Sequence, residues 1–128
     1  MTLLLDSHAV LWFLWDDPRL SIAARTLIED ASNRKLVSVA TCWEIAIKVS
    51  LKKLDLGEPA TTFLPREFSR NNFELLPISL AHATEVERLP MHHRDPFDRL
   101  LIAPAIHEQL AIVGADDAFD GYPVRRLW

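Results

Sequence analysis

Acidic residues that follow short apolar runs are the best candidates for chemistry in this sequence. Asp6 ends the run TLLLD at residues 2–6, and Asp116 ends the run LAIVGAD at residues 110–116. An unpaired carboxylate is expensive to bury after three leucines, so we expect Asp6 to have a metal ion or another partner. The two acids therefore predict a charged site at the ends of apolar strands.

A further acidic feature is the run HHRDPFDRLLIA at residues 92–103, in which Asp95 and Asp98 stand three residues apart. An aspartate at the N-cap, a proline at the first helical position and an acid in the first turn are also typical of a well-capped helix. Arg94 and Arg99 flank the acids, where they would hold a phosphate or balance the carboxylates. The run alone does not decide between helix capping and chemistry.

Apolar runs and helical spacings predict strands that alternate with helices. The predicted strands are residues 2–6, 35–39, 73–78 and 110–116, with the tail 123–128 as a candidate short edge strand. The predicted helices are residues 7–15, 21–33, 40–54, 61–72, 79–89 and 95–109. Such alternation indicates an α/β fold with parallel strand pairing and helices on both faces of the sheet.

This fold predicts where the acids meet. Ligands of an open parallel sheet bind beyond the carboxyl ends of the strands. Asp6 and Asp116 end predicted strands, and Glu44 lies one turn into the helix after the second strand. Asp95 and Asp98 open the helix that leads to the last long strand. We therefore expect all five carboxylates at one edge of the sheet, although Glu44 on a solvated helix face is an equally simple interpretation.

Carboxylates gathered in a partly buried cleft repel one another, so they must bind protons or a cation. Oxygen ligands favour Mg²⁺ or Mn²⁺, and the sequence has no HExxH or CxxC pattern that would indicate zinc. Such a site suits phosphodiester hydrolysis by water that a metal ion activates. The residues therefore predict a metal-dependent hydrolase.

Composition limits the alternatives. A chain of 128 residues fits one domain, and its net charge of −4 argues against a sequence-blind nucleic-acid binder. The apolar start is interrupted by Asp6 and His8 and falls short of the ~18 residues of a membrane span. The single cysteine, Cys42, indicates a reducing compartment. We expect a cytoplasmic protein that does not contact a membrane.

Four blocks of the sequence, in this order, resemble the PIN-domain ribonuclease toxins of VapC type from type II toxin–antitoxin systems. The blocks are LLLDSHAVLW, VSVATCWEIAIKVSLKKL, LPMHHRDPFDRLLIAPA and IVGADDAFDGYPVRRLW. The resemblance implies one PIN-like domain over residues 1–128, built as a three-layer α/β/α sandwich with a mainly parallel sheet. It also implies Mg²⁺- or Mn²⁺-dependent endoribonuclease activity.

The same resemblance implies roles for individual residues and partners. The catalytic and metal-binding residues would be Asp6, Glu44, Asp98 and Asp116. Asp95 matches an additional acid of the HRDPFDR type and, like Arg99, would be auxiliary. Besides RNA, the expected partners are a cognate antitoxin and a second copy of the chain in a homodimer, with DNA reached only through the antitoxin.

Three positions depart from the family pattern. Gly114 stands where threonine is common, so a hydroxyl near the metal site is missing. Pro104 replaces the glutamine of the frequent IAQA sequence and removes a backbone donor inside a helix. Ser7 replaces a common threonine, which is a mild change. None of the three removes a predicted metal ligand.

Two other functions remain open from the sequence. A non-catalytic binding module would use the acids only as helix caps, and Gly114 and Pro104 are compatible with it. An aspartyl phosphotransfer enzyme would use Asp6 as a covalent nucleophile. The second alternative is weaker, because His8 occupies the place where such enzymes need another aspartate.

Overall fold

The computed structural model describes residues 1–128 and contains one five-stranded, entirely parallel sheet. In chain order its strands are β1 (Thr2–Leu5), β2 (Arg34–Ser38), β3 (Phe73–Leu76), β4 (Ala111–Val113) and β5 (Arg125–Leu127). Their order across the sheet is β3-β2-β1-β4-β5. The strand β1 is therefore central, and its carboxyl end lies in the middle of the edge at which all five strands finish.

Six helices connect and cover the strands. They are α1 (Ser7–Leu14), α2 (Ile22–Glu29), α3 (Val39–Ser50), α4 (Ala60–Arg70), α5 (Leu80–Glu85) and α6 (Pro96–His107). Two 3-10 turns, Val86–Arg88 and Asp117–Gly121, complete the structure. The alternation of strands and helices was predicted from the sequence, and the α/β/α architecture is confirmed.

Alternation along β1 explains the three layers. Leu3 and Leu5 are fully buried on one face of the sheet, where they pack with residues of helices α1 to α4. Leu4 is fully buried on the other face, in a cluster that includes Leu101 and Ile102 of α6. Successive strand residues point to opposite faces, so an unbroken apolar run fills both cores.

Several boundaries differ from the sequence predictions. The predicted strand 110–116 pairs only from Ala111 to Val113, and Asp116 lies three residues beyond the strand that it was expected to end. The predicted helix 79–89 leaves the α conformation after Glu85 and continues as a 3-10 turn. Helix α6 continues through Pro104 to His107, so the proline does not end it.

Positive φ angles mark the ends of four helices. Asp16, Lys52, Asn72 and Gln109 have φ angles of 51°, 58°, 55° and 55° and follow α1, α3, α4 and α6 in that order. A left-handed residue turns the chain out of the helix and allows the next segment to approach the sheet. None of the helices is long and apolar enough to cross a bilayer.

Candidate metal and active site

Asp6 lies at the centre of the edge where the strands finish, which we call the carboxyl edge and define by Asp6, Glu44, Asp98 and Asp116. Asp6 directly follows β1 and caps α1, since its Oδ1 accepts a hydrogen bond from the Ala9 N–H over 2.8 Å. Only 5% of Asp6 is exposed. One helix-capping bond therefore holds a carboxylate that is otherwise surrounded by protein.

The pKa of Asp6 shows how strongly the surrounding protein opposes its ionisation. This pKa is raised from 3.8 to about 7, chiefly by burial and against the opposing effect of the Ala9 hydrogen bond. The negative charges of Asp98, Glu44 and Asp116 contribute to the increase. The structure thus brings these three carboxylates close enough to Asp6 to oppose its ionisation.

Glu44 is buried on α3 and points toward Asp6 rather than away from the protein. The hydroxyl of Ser7, the residue after Asp6, donates a hydrogen bond to Glu44 Oε1 over 2.5 Å. Lys48 Nζ, one helical turn further along α3, lies 3.0 Å from Glu44 Oε2. Glu44 is 8% exposed, so the interpretation of a solvated helix face is wrong for this residue.

Asp98 and Asp116 both lie in contact with the side chain of His93. His93 Nε2 lies 2.8 Å from Asp98 Oδ2 and 3.0 Å from Asp116 Oδ2. Burial raises the pKa of Asp98 to about 6, and the charge of Asp95 raises it as well, whereas His93 lowers it. Asp116 caps the second 3-10 turn through a 2.9 Å bond from the Ala118 N–H to its Oδ1.

The two predicted auxiliary residues have structural contacts. Asp95 caps α6, since its Oδ1 accepts a hydrogen bond from the Phe97 N–H over 2.9 Å. Arg99 donates from Nη2 to the carbonyl oxygens of Val86 and Leu89, over 2.8 and 3.1 Å, and has no carboxylate partner. Asp95 acts on the site through its charge, and Arg99 holds the loop that precedes the acidic run.

Gly114 follows β4 beside Asp6. A Cβ atom added at residue 114 would collide with Asp6 Oδ2 and would also contact the ring of Phe119. The Asp6 carboxylate therefore occupies the space that a side chain at this position would need. Gly114, which lacks the hydroxyl that is common at this position, therefore leaves room for the buried carboxylate of Asp6.

Sequence reasoning missed two residues that contact the acids. They are His93 and Lys48, to which the sequence analysis assigns no role. A signal existed for Lys48, because it follows Glu44 by four residues on a helix and such residues are neighbours. His93 stands two residues before Asp95, but its contact with Asp116 depends on tertiary packing.

The donor set at the carboxyl edge fits a hard divalent cation. The ligating atoms of His93, Asp98 and Asp116 all lie within 4.8 Å of one another. Lys48 is the one lysine or arginine in ion-pair contact with the four acids. Carboxylate oxygens in excess over cations are the surroundings that Mg²⁺ and Mn²⁺ occupy in proteins.

The central parallel sheet and the acids beyond the carboxyl ends of its strands are the features on which the family assignment of the chain can be judged. Residues 3–124 match the PIN domain family. The chain belongs to the PIN-domain family and resembles its VapC type.

Curated relatives support this assignment. The chain is 33% identical over 116 residues to Ribonuclease VapC22 of Mycobacterium tuberculosis, and the match covers 90% of this chain and 87% of that protein. It is 36% identical over 75 residues to Ribonuclease VapC16 of the same organism, across 56% of this chain and 52% of that one. The second match thus spans only about half of the relative's length.

A solved structure has the same fold. The protein in the crystal structure of VapBC2 from Rickettsia felis, bound to a DNA fragment from their promoter, superposes with a TM-score of 0.73. The match covers 99% of this chain and 98% of that chain at 18% identity. At this identity the likeness concerns the fold alone.

Proposed function

We propose that the chain, as one PIN-like domain over residues 1–128, is a Mg²⁺- or Mn²⁺-dependent endoribonuclease and the toxin of a type II toxin–antitoxin pair. The observation that carries the proposal is Asp6, a buried carboxylate whose pKa is raised to about 7 by burial and by three neighbouring acids. Perturbed carboxylates of this kind cluster at functional sites. Relatives named as ribonucleases support hydrolysis of RNA as the reaction.

Asp6, Glu44, Asp98 and Asp116 would hold the ion, directly or through water. When bound, such an ion activates water for attack on phosphorus and offsets the negative charge that develops on the phosphate oxygens. Without that positive charge, the site favours a proton on Asp6, because its burial and its acidic neighbours oppose ionisation.

The side chains of this site differ in how firmly they are held and in how exposed they are. Ser7 and Lys48 hold both oxygens of Glu44, which orients this carboxylate before any ligand arrives. The side chain of Asp98 is 19% exposed and that of Asp116 is 46% exposed, whereas Asp6 is almost completely covered. The site therefore opens to solvent on the side of Asp116, where an RNA strand would approach.

A phosphate on that strand needs a cation that is not already paired. Arg94 is exposed between His93 and Asp95 and has no carboxylate partner within ion-pair distance. A guanidinium in this place is able to contact phosphate oxygens in two places at once. Arg94 is therefore the better candidate for a phosphate contact than Arg99, whose nitrogen is occupied by backbone carbonyls.

The proposed partners follow from the relatives. Structural neighbours include VapBC assemblies, one of them on promoter DNA, which supports an antitoxin as partner of this chain. DNA would then be reached through the antitoxin. A homodimer in the cytoplasm completes the proposal, in line with the family resemblance of the sequence.

The test is cleavage of RNA by the purified chain with Mn²⁺, with Mg²⁺ and with a chelator, beside Asp6→Asn and Asp30→Asn. Asparagine at position 6 keeps the helix cap and removes the charge. Asp30 is an exposed acid near the start of β2, far from the carboxyl edge, so it is the matched control. We expect metal-dependent cleavage that Asp6→Asn abolishes and Asp30→Asn preserves. Undiminished cleavage by Asp6→Asn would refute the assignment.

The two alternatives lead to different results. A phosphotransfer enzyme would form an aspartyl-phosphate on Asp6, but this carboxyl is only 5% exposed and is therefore poorly accessible to a phosphate donor. A non-catalytic module would bind no divalent ion, so its melting temperature would not change with excess Mn²⁺.

A further inference from the structure

His93 is held in place from several directions. Its backbone N–H donates to Tyr122 Oη over 2.9 Å, and the Tyr122 hydroxyl donates to the Pro90 carbonyl over 2.6 Å. Its ring lies against the fully buried ring of Phe119, with centroids 5.8 Å apart. His93 is therefore held by its own loop and by the core, in addition to the contacts of its ring with the acids that it faces.

The two ring nitrogens of His93 have different partners. Nδ1 accepts a hydrogen bond from the Asp95 N–H over 3.3 Å. A ring that accepts at Nδ1 carries its hydrogen on Nε2, which is the nitrogen next to the two aspartates. His93 therefore donates from Nε2 to Asp116 Oδ2, and Asp98 Oδ2 lies 2.8 Å from the same nitrogen.

The two acids depend on this donor to different degrees. Asp116 Oδ1 is occupied by the Ala118 N–H, which leaves Oδ2 for His93. The Asp98 carboxylate accepts no hydrogen bond, and its Oδ2 lies 2.8 Å from the same His93 nitrogen. The relative position of the two carboxylates is consequently set through one nitrogen atom.

We propose that His93 is a positioning residue that holds the carboxylates of Asp98 and Asp116 at the separation a divalent cation requires. The inference rests on the proposed function, since it concerns the same site. Ligands about 2.1 Å from an octahedral ion lie about 3 Å apart when adjacent and about 4 Å apart when opposite. One oxygen of Asp98 and one of Asp116 lie within 4.8 Å of each other, which is compatible with that spacing.

The effect of removing His93 on metal affinity distinguishes a positioning role from that of a counter-charge. If His93 only filled the place of the ion as a counter-charge, its removal would strengthen metal binding, because a competitor would be gone. If His93 positions the acids, its removal weakens metal binding. Outer partners that orient metal ligands typically contribute about 10–100-fold to affinity.

The experiment is calorimetric titration of the full chain with Mn²⁺ alone, using a matched pair of amides at position 93. The side chain of His93→Gln places an amide N–H close to where Nε2 stands, whereas that of His93→Asn is one methylene too short to reach the acids. His92→Asn is the control, because His92 is exposed and packs against Tyr122 away from the acids. Circular dichroism of each metal-free variant checks the fold.

We expect His93→Asn to weaken Mn²⁺ binding by about 10–100-fold, His93→Gln to bind close to wild type, and His92→Asn to be unchanged. Equal or tighter binding by His93→Asn overturns the inference, and so does an equal loss in both amide variants. Asp98→Asn separates this result from the proposed function. If Asp98→Asn abolishes binding while His93→Asn does not, only the role of His93 fails, whereas a wild-type chain that binds no Mn²⁺ refutes the metal site itself.

Discussion

The two ends of the parallel sheet differ in whether their charged side chains are paired with opposite charges. At the end where the strands begin, which we call the amino edge and define by Arg34 and Glu74, the guanidinium of Arg34 contacts both oxygens of Glu74 over 3.0 and 3.1 Å. At the carboxyl edge, four acids share one lysine and one histidine. The amino edge is exposed and neutral, and the carboxyl edge is largely buried and negative.

This difference separates structural charge from functional charge. An exposed ion pair contributes little to stability and imposes little on the fold. Unbalanced carboxylates in a cleft oppose folding, because burial and mutual repulsion both disfavour the ionised form. Proteins retain such arrangements where a ligand supplies the missing charge. The carboxyl edge is therefore the part of this molecule at which the proposed cation would supply a missing positive charge.

The largest expected effect comes from making the same substitution at both edges. We expect Glu44→Gln to lower metal-dependent RNA cleavage by more than about 100-fold, because loss of even an outer partner of a metal ligand costs about 10–100-fold. Glu74→Gln removes the same charge from the amino edge and leaves the rate close to wild type. Rates measured on one RNA with both variants make the comparison.

The contrast between the edges would break down if the two variants lost activity equally. A second measurement guards against a folding defect. Glutamine at position 44 keeps an acceptor for the Ser7 hydroxyl, so the free energy of unfolding of metal-free Glu44→Gln should not fall. A large loss of stability would mean that Glu44 serves the fold and not the reaction.

The next effect is a pH dependence of stability in metal-free protein. The pKa of Asp6 is about 7 in the folded chain against an ordinary value of 3.8, so the folded state holds this proton more tightly than the unfolded chain. The resulting stabilisation is complete below pH 3.8 and is lost as the pH rises through 7. Raising the pH from about 5 to about 8 should lower the free energy of unfolding by roughly 2–3 kcal/mol.

Denaturant titrations in a chelator at both pH values measure this slope. Asp98, with its pKa raised to about 6, contributes in the same direction. Asp6→Asn should remove most of the slope, because asparagine does not titrate there, and saturating Mn²⁺ should offset the loss at high pH. A wild-type stability that is flat between the two pH values would show that the carboxyl edge carries no unbalanced charge.

A smaller effect concerns the auxiliary role of Arg99. Arg99→Ala leaves the carbonyls of Val86 and Leu89 without their donor, which should lower the free energy of unfolding by about 2 kcal/mol. Arg66→Ala is the control, since Arg66 is exposed and its hydrogen bonds are to acids on the surface, chiefly Glu58, so its loss should change little. Weaker RNA binding by Arg99→Ala at unchanged stability would instead support a contact of Arg99 with phosphate.

The sequence predicted the fold well because its signals are local. Apolar runs such as TLLL and KLVS identify strands, and serines at helix N-caps, for example Ser21 and Ser79, locate helix starts. The boundaries were less accurate where tertiary contacts decide them. The run LAIVGAD does not show that pairing stops at Val113, since this depends on how far the neighbouring strands extend.

The sequence predicted that the acids lie close together, but it did not predict the contacts that hold them in place. The rule that loops meet at the carboxyl ends of parallel strands was enough to bring Asp6, Glu44 and the two later acids to one edge. The contact of His93 with Asp116 spans 23 residues and requires the packing of a loop against Tyr122. The raised pKa of Asp6 depends on burial, which a single sequence does not report.

The smallest expected effect tests how closely the fold surrounds Asp6. In Gly114→Ala the new Cβ would collide with Asp6 Oδ2, so the carboxylate must rotate, at a cost of about 1 kcal/mol in the free energy of unfolding. The rotated carboxylate also leaves its place among the acids, so Mn²⁺ should bind more weakly.

Gly57→Ala is the control, since Gly57 has a φ of +76° and open space around it, and alanine there strains the backbone without touching a ligand. If both variants lose stability but only Gly114→Ala loses affinity for Mn²⁺, the position of Asp6 at the carboxyl edge is set by the missing side chain of residue 114. If Gly114→Ala binds Mn²⁺ as tightly as wild type, Asp6 has a second orientation that serves equally well, and the tight packing around it serves the core alone.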